Sequence, residues 1–261
     1  MAKGGYQKRR IAEKKARERA SRKRAARRRK GLTVLASALV LGMIAAVLLT
    51  ALGGDEPGPV SDDIAGTNEG CDVPGAIGEP REPLDAPPPD VLEEDVNYTA
   101  TLLTSCGVIK VDLLEDDAPD TVNNFVFLAQ EGFYDGTIFH RVIPEFSGSA
   151  MIQGGDAVNQ DGTGDPGYTI PNENTIPFDR QGLVATANRG PDTNGSQFFI
   201  LDGTVSHLNN PDPEQSRGEH SVFGVATEGL DVIGRIASVP QDENNRPNVD
   251  VILISVTIEE A

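Results

Sequence analysis

The chain has 261 residues, with 23 Lys and Arg against 40 Asp and Glu, and its formal net charge is -17. Residues 1–30 carry 15 basic and 2 acidic side chains, whereas residues 96–261 carry 7 basic and 25 acidic ones. Because an acidic body repels phosphate, broad nucleic-acid binding by the folded part is excluded, and only the basic arm at 1–30 could bind polyanions. Two cysteines exclude a disulfide-framework miniprotein and a four-thiolate zinc site.

An apolar stretch without charges follows the basic arm. Between Lys30 and Asp55 no residue is charged, and residues 32–52 would span about 32 Å as a helix, close to the bilayer core of about 30 Å. This predicts a transmembrane signal-anchor helix at 31–53. The alternatives are a buried core helix and a cleaved signal peptide, whose apolar region would be shorter, at about 7–15 residues.

The basic arm predicts the orientation of this helix. Lys and Arg favour the cytoplasmic side, so we expect 1–30 in the cytoplasm and the rest of the chain outside it. The protein is then a single-pass protein of the cell membrane or, after cleavage, a secreted one. On anionic lipid the arm would act as a topology determinant, and RNA or ribosome binding is its alternative role.

Residues 54–95 are predicted to be an acidic linker. They contain eight prolines and six glycines, and 55–95 carry a net charge of -12. Such a segment buries too little apolar surface to offset the entropy of ordering, and proline and self-repulsion extend it. In an oxidising exterior, Cys71 could form a disulfide with Cys106 and pin the linker to the domain; two free thiols are the alternative.

From residue 96 onward, short apolar runs separated by Gly, Asn, Asp and Pro predict a folded domain at 96–261. A hairpin is predicted from strands at 98–105 and 108–114, with Cys106-Gly107 at the turn. Helices are predicted at 119–131, with Asp120 or Thr121 near its start, and at 228–236. Further strands are predicted at 137–143, 183–187, 197–201, 221–225 and 249–258. Many strands and few helices favour an antiparallel barrel or a sandwich.

Common catalytic signatures are missing from the sequence. It contains no G-x-S-x-G, P-loop, H-E-x-x-H or C-x-x-C motif. The three histidines, His140, His207 and His220, do not have the spacing of a known metal site, so neither a metal nor a cofactor is expected. Residues 161–165 have some features of a calcium loop but lack the remaining ligands, and a plain turn is expected there.

Four strings carry the strongest functional signal. They are F-H-R-V-I-P at 139–144, M-I-Q-G-G-D at 151–156, A-N-R-G-P-D-T-N-G-S-Q-F-F-I at 187–200 and H-S-V-F-G at 220–224. With these strings in this order, the domain at 96–261 resembles a cyclophilin, a peptidyl-prolyl cis-trans isomerase, in a membrane-anchored, actinobacterial-like form. The resemblance implies an all-β fold: a closed eight-stranded antiparallel barrel, capped by two helices, with the site on its outer face.

The resemblance also implies roles for individual residues. Arg141 matches the catalytic arginine, Gln153 the glutamine that supports it, and Asn188 the position that pairs with the peptide backbone. The other substrate-binding positions are Phe146, Met151, Ala187, Gln197, Phe199, His207, Leu208 and His220. The expected partners are proline-containing unfolded or flexible polypeptides, bound without a cofactor.

Three departures from the family pattern bear on function. Residues 147–150 separate Phe146 from Met151, where the family usually has the two residues adjacent. His207 stands where many relatives have tryptophan, which predicts weak cyclosporin binding; a nanomolar inhibition constant would refute it. Residues 209–217 form an acidic insertion. The alternative functions are a catalytically weak proline-binding adaptor or chaperone on the same fold, and a scaffold whose basic arm recruits nucleic acid.

Overall fold

The structure is a computed structural model that describes residues 68–144, 150–174, 176–205, 208–209 and 220–260. The basic arm, the predicted transmembrane helix at 31–53, Phe146, His207 and most of the insertion at 209–217 lie outside the described residues. Within the described ranges, no helix combines the length and the apolar character needed to cross a bilayer.

The described residues contain nine strands and two helices. The strands are β1 (Tyr98–Thr104), β2 (Gly107–Leu113), β3 (Thr137–Ile138), β4 (Arg141–Ile143), β5 (Met151–Gly154), β6 (Leu183–Thr186), β7 (Phe198–Leu201), β8 (Val222–Glu228) and β9 (Ile252–Glu260). Helix α1 (Pro119–Gln130) follows β2, and helix α2 (Leu230–Ala237) follows β8. The bounds of β1, β2 and α1 agree with those of the predicted hairpin and first helix to within one or two residues.

All nine strands form one curled antiparallel sheet in the order β3-β9-β1-β2-β8-β6-β7-β5-β4. The predicted strand at 137–143 is divided, because Thr137 and Ile138 pair with β9 whereas Arg141 to Ile143 pair with β5. This change of partner makes nine strands where eight were expected. Only Phe139 and His140 separate the two edge strands in the chain. Full closure of the barrel stays a prediction.

Alternation along the strands gives the sheet two apolar faces. Successive side chains of a strand point to opposite faces. Val142, Ile152 and Ile200 pack into a cluster with residues of both helices, which forms the interior. A second apolar cluster on the outer face includes their neighbours in the chain. Its members are Ile143, Met151, Phe178, Leu183, Ala185, Phe199, Leu201, Val205 and Val222.

Helix α1 is capped from outside its own sequence. It begins at Pro119, as predicted, because the fixed φ of proline suits the first helical position. Ala118 at the N-cap offers no side-chain acceptor. The carboxylate of Glu173 instead accepts hydrogen bonds from the backbone N of Asp120 at 2.8 Å and of Thr121 at 2.7 Å.

Residues 68–95, the described part of the predicted linker, form a strap across the domain. The strap contains no helix or strand, which agrees with its proline and glycine content, but it packs against the interior cluster through Cys71, Leu84 and Leu92. A disulfide joins Cys71 to Cys106, with an S–S distance of 2.00 Å. The described part of the linker is therefore in contact with the domain and is not a free spacer. The domain boundaries themselves stay predictions.

Candidate active site

Four neighbouring strands bring distant parts of the sequence into one row. The strand register places Arg141 of β4 opposite Gln153 of β5, Gln153 opposite Phe199 of β7, and Phe199 opposite Ala185 of β6. Residues paired in this way lie on the same face of a sheet. The row runs from the exposed Arg141 to Phe199, which is 3% exposed. The predicted catalytic arginine therefore lies at the edge of the outer apolar cluster.

Two glutamine side chains orient the arginine. Gln197 Nε2 donates to the carbonyl oxygens of Gly162 at 3.0 Å and Gly164 at 2.8 Å, which turns its own Oε1 towards Gln153. Gln153 Nε2 donates to that oxygen at 3.2 Å, and Gln153 Oε1 accepts from Arg141 Nη1 at 3.4 Å. Within the described ranges Arg141 forms no ion pair with a carboxylate, so most of its donors remain available.

A carboxylate organises the loop that holds Gln197. Asp156 Oδ1 accepts hydrogen bonds from the backbone N of Val158 at 3.0 Å and Asn159 at 2.9 Å, and Oδ2 accepts from Gly162 at 2.9 Å and Gly164 at 3.0 Å. Burial raises the pKa of this carboxyl, but these backbone bonds outweigh burial and hold the pKa below its usual value. The loop that results contains no group of metal ligands in its described residues.

An aromatic group lies beside the row. The rings of Phe199 and His220 meet edge to face with centroids 5.3 Å apart, and Phe178 stacks on Phe199 at 5.9 Å. His220 Nδ1 lies 2.9 Å from the carbonyl oxygen of Thr186, which can only accept, so Nδ1 carries the proton. Phe178 was not predicted, because a single aromatic residue after a proline carries no periodic signal. Met151 belongs to the same apolar cluster, and the half-buried Leu208 packs against it.

The structure places Ala187 and Asn188 just after β6. Ala187 N donates to the carbonyl oxygen of Gln197 at 2.9 Å, so this segment continues the sheet pairing beyond the strand. Asn188 Nδ2 donates to Asn194 Oδ1 at 2.9 Å, and Asn188 Oδ1 accepts from Gly190 N at 3.2 Å. These bonds give the Asn188 side chain a role in its own turn, and pairing with a substrate backbone stays a prediction.

A polar cavity of about 360 Å³ also adjoins Arg141. Its lining residues are His140, Arg141, Gln153, Asp161, Gly162, Asp242, Asn244 and Arg246. Burial lowers the pKa of His140 to about 4, so its ring is neutral near pH 7. Arg141 and Gln153 line this cavity and also belong to the row that leads to Phe199. They therefore lie between the outer apolar cluster and a polar surface.

Comparison with known proteins gives consistent results. The family model for cyclophilin type peptidyl-prolyl cis-trans isomerase/CLD matches residues 99–258. The probable peptidyl-prolyl cis-trans isomerase A of Mycobacterium leprae is 42% identical over 181 residues, covering 62% of this chain and 92% of that relative. Peptidyl-prolyl cis-trans isomerase-like 2 of Rhizopus delemar is 42% identical over 159 residues, which are 58% of this chain but only 27% of the relative.

The fold has a solved counterpart. The crystal structure of a cyclophilin type peptidyl-prolyl cis-trans isomerase of Cryptosporidium parvum has a TM-score of 0.55 and 30% sequence identity, and it covers 62% of this chain and 98% of its own. The same Cryptosporidium parvum protein has been solved in the presence of the dipeptide Ala-Pro. The two proteins share the curled antiparallel sheet and its two helices.

Proposed function

Because the chain belongs to the cyclophilin-type peptidyl-prolyl cis-trans isomerase family and is an enzyme of that class, we propose that Arg141 stabilises the twisted amide of an X-Pro bond. The substrates would be proline-containing segments of unfolded or flexible polypeptides. The observation that carries the proposal is the position of Arg141: exposed, held by Gln153, and in one row with Phe199.

The reaction requires no nucleophile, since no covalent bond breaks. Resonance between the nitrogen and the carbonyl sets a rotational barrier of about 18–20 kcal/mol. When the bond is twisted, the prolyl nitrogen regains a lone pair that can accept a hydrogen bond. A donor placed beside the nitrogen then interacts with the transition state and not with the planar ground state, which is the condition for a faster reaction. A rate gain of about 10⁵ requires only about 7 kcal/mol.

A guanidinium group meets this requirement. It stays charged at physiological pH and presents a rigid planar set of donors, which a lysine ammonium does not. In this chain one Nη of Arg141 donates to Gln153 Oε1 at 3.4 Å, and this bond orients the group. A preorganised donor needs no reorganisation at the moment of reaction, so its full electrostatic effect reaches the twisted amide.

The outer apolar cluster would bind the proline ring. Met151 and Phe199 belong to this cluster, His220 meets Phe199 edge to face, and none of the three lines the polar cavity. An apolar pocket beside Arg141 would place the prolyl nitrogen next to the guanidinium. Phe146 and His207 complete the pocket in the prediction from sequence, and weak cyclosporin binding follows from the histidine at 207.

We further propose that the enzyme works outside the cytoplasm, where it assists the folding of exported chains. Disulfides persist in oxidising compartments, and Cys71 and Cys106 are bridged. The charge-free stretch between Lys30 and Asp55 and the basic arm before it support a membrane anchor with the domain outside. Uncatalysed isomerisation takes tens to hundreds of seconds, long enough to delay such folding.

The role of Arg141 is tested by replacing it. We expect Arg141→Ala to lower kcat/KM by about 10²- to 10³-fold, the usual loss when a donor to the transition state is removed. NMR spectroscopy measures the rate of cis-trans exchange of a proline peptide in the presence of each variant. Arg141→Lys should recover only a minor part of the activity, because it restores the charge but not the planar group.

The matched control is Arg180→Ala. Arg180 is exposed and pairs with its neighbour Asp179, so its loss should leave the exchange rate unchanged. Equal activity of wild type and Arg141→Ala would contradict the mechanism. Wild-type protein that binds the peptide but leaves exchange at the uncatalysed rate would instead identify the proline-binding adaptor.

A further inference from the structure

The strap lies outside the residues that match the family model, which begin at 99. It is nevertheless bound to the domain at several points along its length. Near its start, the disulfide joins Cys71 to Cys106, and Val73 N donates to the carbonyl oxygen of Ser105 at 2.9 Å. Farther on, Gly78 N donates to the carbonyl oxygen of Gly136 at 2.8 Å. The strap is therefore part of the folded domain of this chain.

The contact between Gly78 and Gly136 leaves no room for side chains. Gly136 has a φ of +74°, and a Cβ at this position would lie 2.6 Å from the Gly78 nitrogen. Only glycine adopts this conformation without strain. The backbones of Gly78 and Gly136 can therefore approach to hydrogen-bonding distance, and this contact fixes the strap against the domain.

The middle of the strap contacts the loop that organises the active site. Arg81 N donates to the carbonyl oxygen of Ala157 at 2.8 Å, and Gln160 Nε2 donates to the carbonyl oxygen of Gly78 at 2.9 Å. Leu84 N donates to the carbonyl oxygen of Pro166 at 2.8 Å. Ala157 and Gln160 lie within the turn at 156–164, whose backbone amides donate to Asp156, and Pro166 follows that turn.

That turn is linked to the catalytic arginine. The carbonyl oxygens of Gly162 and Gly164 hold Gln197, Gln197 holds Gln153, and Gln153 accepts the hydrogen bond of Arg141. The last bond is also the longest, at 3.4 Å, so a small shift of the turn is enough to break it. Contacts with the strap thus lead through hydrogen bonds to the reacting group.

We propose that the strap is a positioning segment for Arg141, and that the Cys71–Cys106 disulfide keeps it in place. The inference rests on the proposed role of Arg141 in catalysis. Opening the disulfide frees the start of the strap, weakens the bonds of Gly78 and Arg81 to the loop, and lets the Gln197–Gln153 relay move. Displacements near 1 Å in a catalytic group can cost about 10²-fold in rate, so partial loosening should cost about 3- to 10-fold in kcat.

The first experiment compares oxidised and reduced full-length protein. Cis-trans exchange of a proline peptide is followed by NMR, which requires no coupling protease that dithiothreitol would inactivate, and mass spectrometry after alkylation verifies the state of the cysteines. We expect reduction to lower kcat by about 3- to 10-fold while KM changes less than twofold. The double variant Cys71→Ser with Cys106→Ser should have the lower kcat from the start and should not respond to dithiothreitol.

The second experiment leaves the cysteines unchanged. Arg81→Pro removes the backbone N–H that reaches Ala157, whereas Arg81→Ala keeps it and removes only the guanidinium, whose Nη2 donates to the carbonyl oxygen of Gly132. We expect Arg81→Pro to lower kcat and Arg81→Ala to leave it near the wild-type value. Hydrogen exchange of the amides at 158–164 should accelerate in Arg81→Pro, while exchange in β1 and β2 should stay unchanged, which separates loss of positioning from general destabilisation.

Two outcomes separate this inference from the function on which it rests. If oxidised wild type catalyses exchange and Arg141→Ala does not, but reduced protein and Arg81→Pro retain wild-type kcat, the strap does not position Arg141 and the inference is overturned. If oxidised wild type gives only uncatalysed exchange, the proposed function itself fails.

Discussion

His140, next to Arg141 in sequence, is buried without a hydrogen bond to either ring nitrogen from the described residues. Burial lowers its pKa to about 4; Arg246 and Arg141 add to the effect and Asp156 opposes it. In the unfolded chain a histidine has a pKa of about 6.5. Between these values the unfolded state binds a proton that the folded state does not.

The linkage has a definite sign. The contribution of His140 to the free energy of unfolding is complete above about pH 6.5 and is lost as the pH falls towards 4, with a total of about 3 kcal/mol. We expect the stability of wild type minus that of His140→Gln to decrease through this range, as measured by urea unfolding at four pH values. Carboxyl groups titrate in both proteins and cancel in the difference. Parallel curves would contradict a buried neutral His140.

At the residue scale, local strings predicted Arg141, Gln153 and Phe199, and the sheet register brings the three into one row. The strings did not contain the reason why the arginine is oriented. That depends on Gln197 reaching the carbonyls of Gly162 and Gly164, which are more than thirty residues away in the chain. Contacts of this kind arise only when the whole sheet is formed.

Among the elements, helix α1 depends on a residue far from it in sequence. Glu173 accepts hydrogen bonds from the backbone N of Asp120 and Thr121 and from the hydroxyl of Thr121. The first amides of a helix have no partner within it, and an acidic group near them is also favoured by the helix dipole. A loop carboxylate thus replaces the missing side-chain cap at Ala118.

We expect Glu173→Ala to lower the free energy of unfolding by about 1–2 kcal/mol, because two amides of α1 and a buried threonine hydroxyl lose their acceptor. Urea unfolding followed by circular dichroism measures the change. Glu243→Ala, at an exposed turn, is the control and should change stability by less than about 0.5 kcal/mol. Equal stability of the two variants would show that α1 does not need this cap.

The elements were predictable to different degrees. The buried face of α1, with Val122, Phe125, Val126 and Ala129, was predicted correctly from its periodicity. Strand β5 was missed as a strand, because its four residues end in glycine and are too few to show alternation. The division of the strand at 137–143 was also missed, since a change of pairing partner leaves no trace in local composition.

For the molecule as a whole, the prediction to test is that the isomerase domain lies outside the cytoplasm. We expect alkaline phosphatase, fused after residue 261 of the full chain and produced in bacterial cells, to be active, because this reporter folds only where disulfides form. Deleting residues 31–53 should abolish the activity by leaving the fusion in the cytoplasm. Membrane fractions washed with alkaline carbonate would retain an anchored protein and lose a cleaved one. An inactive full-length fusion would contradict an extracytoplasmic domain.

Composition described the linker only in part. Proline, glycine and charge predicted correctly that residues 68–95 form no helix or strand. They could not predict that the backbone of this segment is held by partners such as Ala157 and Pro166, because these contacts do not depend on apolar side chains in the segment. Backbone hydrogen bonds and a disulfide add to the limited apolar contacts that the segment makes through residues such as Leu84 and Leu92.

The position of β9 in the sheet has a consequence for biosynthesis. This strand, the last one described along the chain, lies between β3 and β1, and it pairs with β1 from Tyr98 to Thr104. Of the strands described, the first to emerge during translation must therefore wait for the last before both of its edges are covered, and such non-local pairing slows folding. A catalyst of slow folding steps would thus itself complete its sheet only after β9 has been synthesised.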